Sequence, residues 1–127
     1  MSVTDYTSRT AVLKKKQKTI AFQFERCLET NAHAQTLCKS FLKYGYDIYI
    51  VTDLPEREFA YHLCDFALDN GIYHRNILFR RSDRTQNLVQ QLKLKLFFSA
   101  NEFEVRALNE GLPRPVACHL PYVRPAL

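Results

Sequence analysis

Gln23, Glu25 and Cys27 follow one another at alternate positions where an apolar run, Ile20, Ala21, Phe22 and Phe24, gives way to a polar bend. The three side chains offer three chemistries. A carboxylate moves protons or holds a metal, a thiolate attacks, and a neutral amide can only hydrogen-bond. Cys27 would be a nucleophile if Arg26 or a helix N-terminus stabilised its thiolate. No candidate base is close in sequence, and a buried structural thiol is the other reading. Thr52, at the end of a second apolar run, is either a helix cap or a phosphate ligand. Arg75, Arg80, Arg81 and Arg84 form the densest arginine cluster in the chain, beside Tyr73 and His74. Guanidinium forks grip phosphate or carboxylate bidentately, so the cluster is either a binding surface or a solvated charged loop. The run Lys14, Lys15, Lys16, Lys18 is a solubilising tail or an electrostatic contact with nucleic acid or an acidic protein.

Short apolar runs and amphipathic segments alternate along the chain that must position these groups. Strands are expected at Thr19–Phe24, Asp47–Thr52, Asn76–Arg80, Lys95–Phe98 and Val116–His119. Helices are expected from about Asn31 to Tyr44, from Pro55 to Asn70–Gly71, from a cap at Ser82 or Asp83 to about Leu92, and from Asn101 to Asn109. Leu37, Cys38, Phe41 and Leu42 share one face of the first helix, and Phe59, Leu63, Phe66 and Ala67 share one face of the second. Gly45 and Gly111 close helices as C-terminal glycines do. Connections too long for hairpins imply parallel pairing with right-handed crossovers. The expectation is a three-layer α/β sandwich with a five-stranded parallel sheet, its first strand central and buried on both faces. In such a sheet ligands bind outside the carboxyl ends of the strands, where the strand order reverses. Gln23 to Cys27 would lie at that end.

Bulk properties narrow the class. The chain has 127 residues, 46% of them hydrophobic, which suits one domain with one core. Residues 1–17 read as a loose basic tail and 18–127 as that domain. No run approaches the ~20 apolar residues of a membrane span, and the start carries no signal-peptide pattern, so a cytoplasmic protein is expected. The four cysteines, Cys27, Cys38, Cys64 and Cys118, show no CxxC pairing and read as reduced thiols. None of the histidines supplies zinc-ligand spacing, so neither a metal nor a cofactor is expected. A net charge of +5 favours anionic partners weakly.

The apolar strand running into Gln23-Phe24-Glu25-Arg26-Cys27-Leu28, the strand ending Ile50-Val51-Thr52, the basic residue Arg84 opening a helix, and the strand ending Leu96-Phe97-Phe98-Ser99-Ala100-Asn101 resemble four motifs in order and spacing. They are those of the haloacid dehalogenase-like (HAD) phosphatase superfamily. The resemblance covers residues 18 to about 119 and implies the strand order 3-2-1-4-5. Position by position it sets Gln23 at the nucleophilic Asp, Glu25 at the general acid/base Asp and Cys27 at Thr or Val. Thr52 stands at the second-motif Thr, Arg84 (or Arg81) at the Lys, and Ser99 with Ala100 or Asn101 at the acidic pair that helps hold magnesium.

The resemblance therefore implies the framework of a phosphatase without its chemistry. A Gln amide is a poor nucleophile, and Glu25, the only carboxylate expected at the site, is one methylene longer than Asp. Short links after the first two strands leave no room for a cap domain. The leading expectation is a catalytically inactive HAD-like domain, a pseudoenzyme, that binds or regulates a protein partner. Tyr73, Arg75, Arg80, Arg81 and Arg84 around the third strand would form the docking side, for that partner or for a second copy of the chain. One alternative is nucleic acid or a phosphorylated ligand held by the basic patches. The other is a divergent phosphatase with a rearranged site.

Overall fold

The computed structural model describes residues 18–54, 56–80 and 85–122. Its strands are β1 (Thr19–Gln23), β2 (Asp47–Thr52), β3 (Ile77–Phe79), β4 (Leu96–Ser99) and β5 (Ala117–His119). They form one sheet in the order β3-β2-β1-β4-β5, with every neighbouring pair parallel. The helices are α1 (Ala32–Lys43), α2 (Glu56–Asp69), α3 (Thr85–Leu92) and α4 (Glu102–Glu110). The three-layer α/β sandwich expected from the sequence is the observed architecture.

Alternation along the strands builds two cores, one on each face. Ile20 and Phe22 of β1, Ile48 and Ile50 of β2 and Phe98 of β4 join Ala34 and Cys38 of α1 and Leu63 and Ala67 of α2. Ala21, Val51, Phe97 and Ala117 point the other way, to Val89 of α3 and to Val105 and Leu108 of α4. A strand covered on both faces must be apolar throughout, which is why β1 carries no polar residue between Thr19 and Gln23. Phe22 stacks on Phe98 with ring centroids 4.7 Å apart.

Asparagines fasten the ends of the elements. Asn31 caps α1, its Oδ1 accepting from His33 N at 2.8 Å and Ala34 N at 3.1 Å, while its Nδ2 donates to Pro121 O at 3.2 Å. Buried Asn76 ties the turn before β3 to β2 by donating to Asp47 Oδ1 and Ile48 O, both at 2.9 Å. Asn109 near the end of α4 accepts from Val116 N and Ala117 N at 2.8 and 2.9 Å. Gly45 follows α1 at φ +83°, a left-handed conformation that glycine adopts without steric cost.

The carboxyl ends of three strands differ from expectation: β3 spans Ile77–Phe79 and leaves Arg80 just beyond it, and the ends of β1 and β4 bear directly on the site. β1 stops at Gln23 because Phe24 already belongs to a wide turn, its carbonyl accepting from Glu29 N at 2.9 Å. β4 runs one residue further than expected, so Ser99 is its last strand residue, paired with His119 of β5. The expected apolar stripe of α2 is present at Leu63, Phe66 and Ala67. The side chain of Phe59, with Pro55 and the expected caps Ser82 and Asp83, lies outside the described residues.

Phe22→Ala should cost about 3–5 kcal/mol, because it opens a cavity where both faces of β1 are packed. Phe103→Ala, at a site 79% exposed, should stay within ~0.5 kcal/mol. Urea unfolding of the two variants beside the parent protein measures the contrast.

Candidate functional site at the carboxyl end of the sheet

The three central strands end in polar residues, Gln23, Thr52 and Ser99, each of them buried. Buried polar groups need partners: Gln23 and Ser99 bond to each other, and Thr52 bonds to Glu25. Asn101 N donates to Ser99 Oγ at 3.1 Å, and the Ser99 hydroxyl donates in turn to Gln23 Oε1. β1 and β4 are thereby joined where the strand order reverses.

Glu25 is held against β2. The Thr52 hydroxyl lies 2.8 and 3.0 Å from the two carboxylate oxygens, and Asp53 N donates to Oε1 at 2.6 Å. Thr52 Oγ1 also accepts from Leu54 N at 3.1 Å, so the residue closes the turn after β2 while it grips Glu25. Burial pushes the Glu25 carboxyl above its ordinary value even though the bonds from Asp53 N and Thr52 pull the other way. The chain reaches this position through a turn whose second and third residues depart from helical geometry, Glu25 at ψ 129° and Arg26 at φ 60°. Arg26 is therefore in left-handed backbone, uncommon outside glycine, and its guanidinium lies 5.5 Å from the ring centre of Tyr122.

A second network flanks the first. Arg80, just past β3, donates from Nε and Nη2 to the two carboxylate oxygens of Asp53, each at 2.8 Å. Its Nη1 reaches Glu104 Oε2 at 2.9 Å and also the Thr85 hydroxyl. Burial alone would lower the basicity of Arg80, but the bonds and charges of Asp53 and Glu104 more than offset it. The side chain is only 9% exposed. Sequence reasoning did not foresee this ion-pair group, because its members come from three separate connections. Glu25 is accordingly not the only carboxylate at the strand ends, although Asp53 and Glu104 are both committed to Arg80.

Arg75 and Arg80, close together in the sequence, are far apart in space. Arg75 precedes β3 and Arg80 follows it, and at ~3.3 Å per residue the strand holds them roughly 15 Å apart, at opposite ends of the sheet. Arg75 is exposed, stacked 5.0 Å from the centre of the Tyr73 ring, and Tyr73 is 67% exposed. Arg80 faces inward, contrary to its expected place on a docking surface. Arg81 and Arg84, with Lys14, Lys15 and Lys16, lie outside the described residues.

Cys27 and Cys38 are buried, with their thiols pushed up to about 12 by desolvation, as structural thiols should be. Among the described residues no three His, Cys, Asp or Glu side chains converge as a metal site would need. None of their helices is long and apolar enough to cross a membrane. Between Glu25 and the segment after β5 lies a cleft of about 610 Å³, lined among others by Gln23, Arg26, Asn101, Phe103, His119 and Tyr122.

No protein-family model matches the chain, and no curated protein matches it either.

Arg80→Ala should destabilise the fold by about 3 kcal/mol, since it leaves the half-buried Glu104 carboxylate without its cation. The double variant Arg80→Ala with Glu104→Ala should recover part of that loss in a double-mutant cycle. Glu25 gives a pH signature. A carboxyl whose folded pKa is raised stabilises the fold fully below its unfolded value, about 4.3 for Glu. That stability is lost as pH rises through the folded value. Relative to Glu25→Gln, the parent protein should lose stability over that interval and stay level above it, as read by urea titrations at a series of pH values.

Proposed function

We propose that this chain is a non-catalytic domain of the HAD-like fold that works as a binding module for a protein partner. One observation carries the reading: the strand-end groups that a phosphatase of this plan would aim at its substrate are here bonded to one another. Gln23 accepts from Ser99, and Glu25 accepts from Thr52 and Asp53 N. An amide cannot form an acyl-phosphate, and Glu25 is turned onto β2 instead of standing free as an acid or base. The strand order 3-2-1-4-5 and the position of Thr52 at the end of β2 support the family likeness.

Binding then falls to exposed groups of the kind that anchor interfaces. Tyr73 and Arg75, already stacked on each other at the amino end of β3, are the described residues of the expected docking side that fit this role. A preformed aromatic–arginine pair loses little side-chain freedom on binding.

With magnesium, the purified protein should not turn over p-nitrophenyl phosphate above background, and Gln23→Asp alone should not restore turnover, because Ser99 still offers no carboxylate. Magnesium-dependent hydrolysis abolished by Glu25→Ala would overturn the proposal. The binding half is read by affinity capture from the native host. Tyr73→Ala with Arg75→Glu, shown by circular dichroism to be folded, should release the captured protein, and unchanged capture would exclude this surface.

A further inference from the structure

Gln23 is 8% exposed, yet only half of its amide is satisfied. Ser99 Oγ accepts from Asn101 N and its hydroxyl donates to Gln23 Oε1, so the oxygen of the Gln23 amide is the atom turned toward Ser99. The Nε2 group, with its two N–H donors, is left. It has no hydrogen-bond partner among the described residues, and it is not sealed in, since Glu104 Oε1 is the one buried side-chain polar atom among them without a partner. Gln23 lines the cleft beside the wide turn, so this amide is the floor of that cleft.

The walls define what could sit on that floor. Arg26 supplies a cation at the rim, held over Tyr122, and Phe103, 79% exposed, presents a second aromatic face. Two negative charges also border the cleft. Glu25 is fastened to Thr52 and Asp53 N, and Glu102 lies 3.3 Å from Arg106. The floor offers donors to an acceptor, Arg26 offers one cation, and the neighbouring carboxylates oppose a ligand of more than one negative charge. The aromatic walls favour a flat body.

We propose that the cleft is a binding site for a small planar monocarboxylate. One carboxylate oxygen accepts from an N–H of Gln23, the charge is met by Arg26, and the ring lies between Tyr122 and Phe103. The site is independent of the Tyr73–Arg75 surface, and it would give the domain a small-molecule input that requires no catalysis.

Benzoate is the probe, followed by ¹⁵N-resolved NMR of the full chain, with benzamide and inorganic phosphate for comparison. Benzoate should shift the side-chain NH₂ signals of Gln23 together with signals of Arg26 and His119. Gln23→Leu should weaken it roughly tenfold, as loss of a hydrogen bond to a charged acceptor would. Arg26→Gly, which suits the left-handed backbone there, should weaken benzoate while leaving benzamide unchanged. That comparison decides the matter if Gln23→Leu does not fold. Benzoate shifts that miss Gln23, equal affinity in the variants, or phosphate shifting the same signals more strongly than benzoate would each overturn the assignment.

Discussion

Enclosure of β1 is the constraint on which the rest of the molecule depends. The strand is paired along both edges, with β2 and with β4, and its residues Ile20 to Phe22 are fully buried. Its backbone groups find their partners in the two neighbours, and its side chains alternate between the two cores. Because β2 and β3 lie on one side and β4 and β5 on the other, the chain must reverse its direction of sheet growth at β1. The reversal splays apart the connections that leave β1 and β4, and a cleft opens at their carboxyl ends. Gln23, the last residue of β1, is at the bottom of that cleft.

The polar groups at this end are arranged by the cost of burying them unpaired. The Ser99 hydroxyl satisfies the oxygen of Gln23, Thr52 and Asp53 N bond to Glu25, and Arg80 joins Asp53 to Glu104. The three networks meet through the adjacent residues Thr52 and Asp53 on one side and, on the other, through Asn101, whose N donates to Ser99 and whose Oδ1 accepts from Glu104 N. They tie the strand-end loops to one another. Donors and carboxylates at the strand ends are thereby bonded to one another. This site uses them as internal struts, and the open half of the Gln23 amide is the exception.

Glu25 is held by two donors from the end of β2. Its carboxylate meets the Thr52 hydroxyl and the Asp53 amide at once, two donors that could otherwise face an anion from solution. The carboxylate pays part of its desolvation for that reach, as its raised pKa shows. Left-handed backbone at Arg26 belongs to the same arrangement, since it turns the chain sharply after Glu25. The guanidinium then rests over Tyr122, beyond β5, so that the β1 turn and the segment after the last strand form facing walls of the cleft.

The amino-acid sequence by itself determined the architecture. Apolar runs of strand length separated by helical periodicities fit only a layered α/β fold, and the uniformly apolar β1 could only be a central strand, because burial on both faces is written directly in side-chain polarity. The same patterning marked Gln23, Thr52 and Ser99 as strand ends to within a residue, and Asn31 and Asn101 as helix starts. What the tertiary structure decided was pairing between residues far apart in the chain. Arg75 and Arg80 look like one cluster in sequence, but a strand between them sends them to opposite ends of the sheet. Arg80, Asp53 and Glu104 look unrelated in sequence, yet the connections after β3, β2 and β4 bring them together because parallel strands place all their carboxyl ends on one side. Periodicity reports which face of an element is buried and carries no information on which polar partner waits there, so the bonds from Ser99 to Gln23 and from Thr52 to Glu25 existed only once the sheet had been assembled.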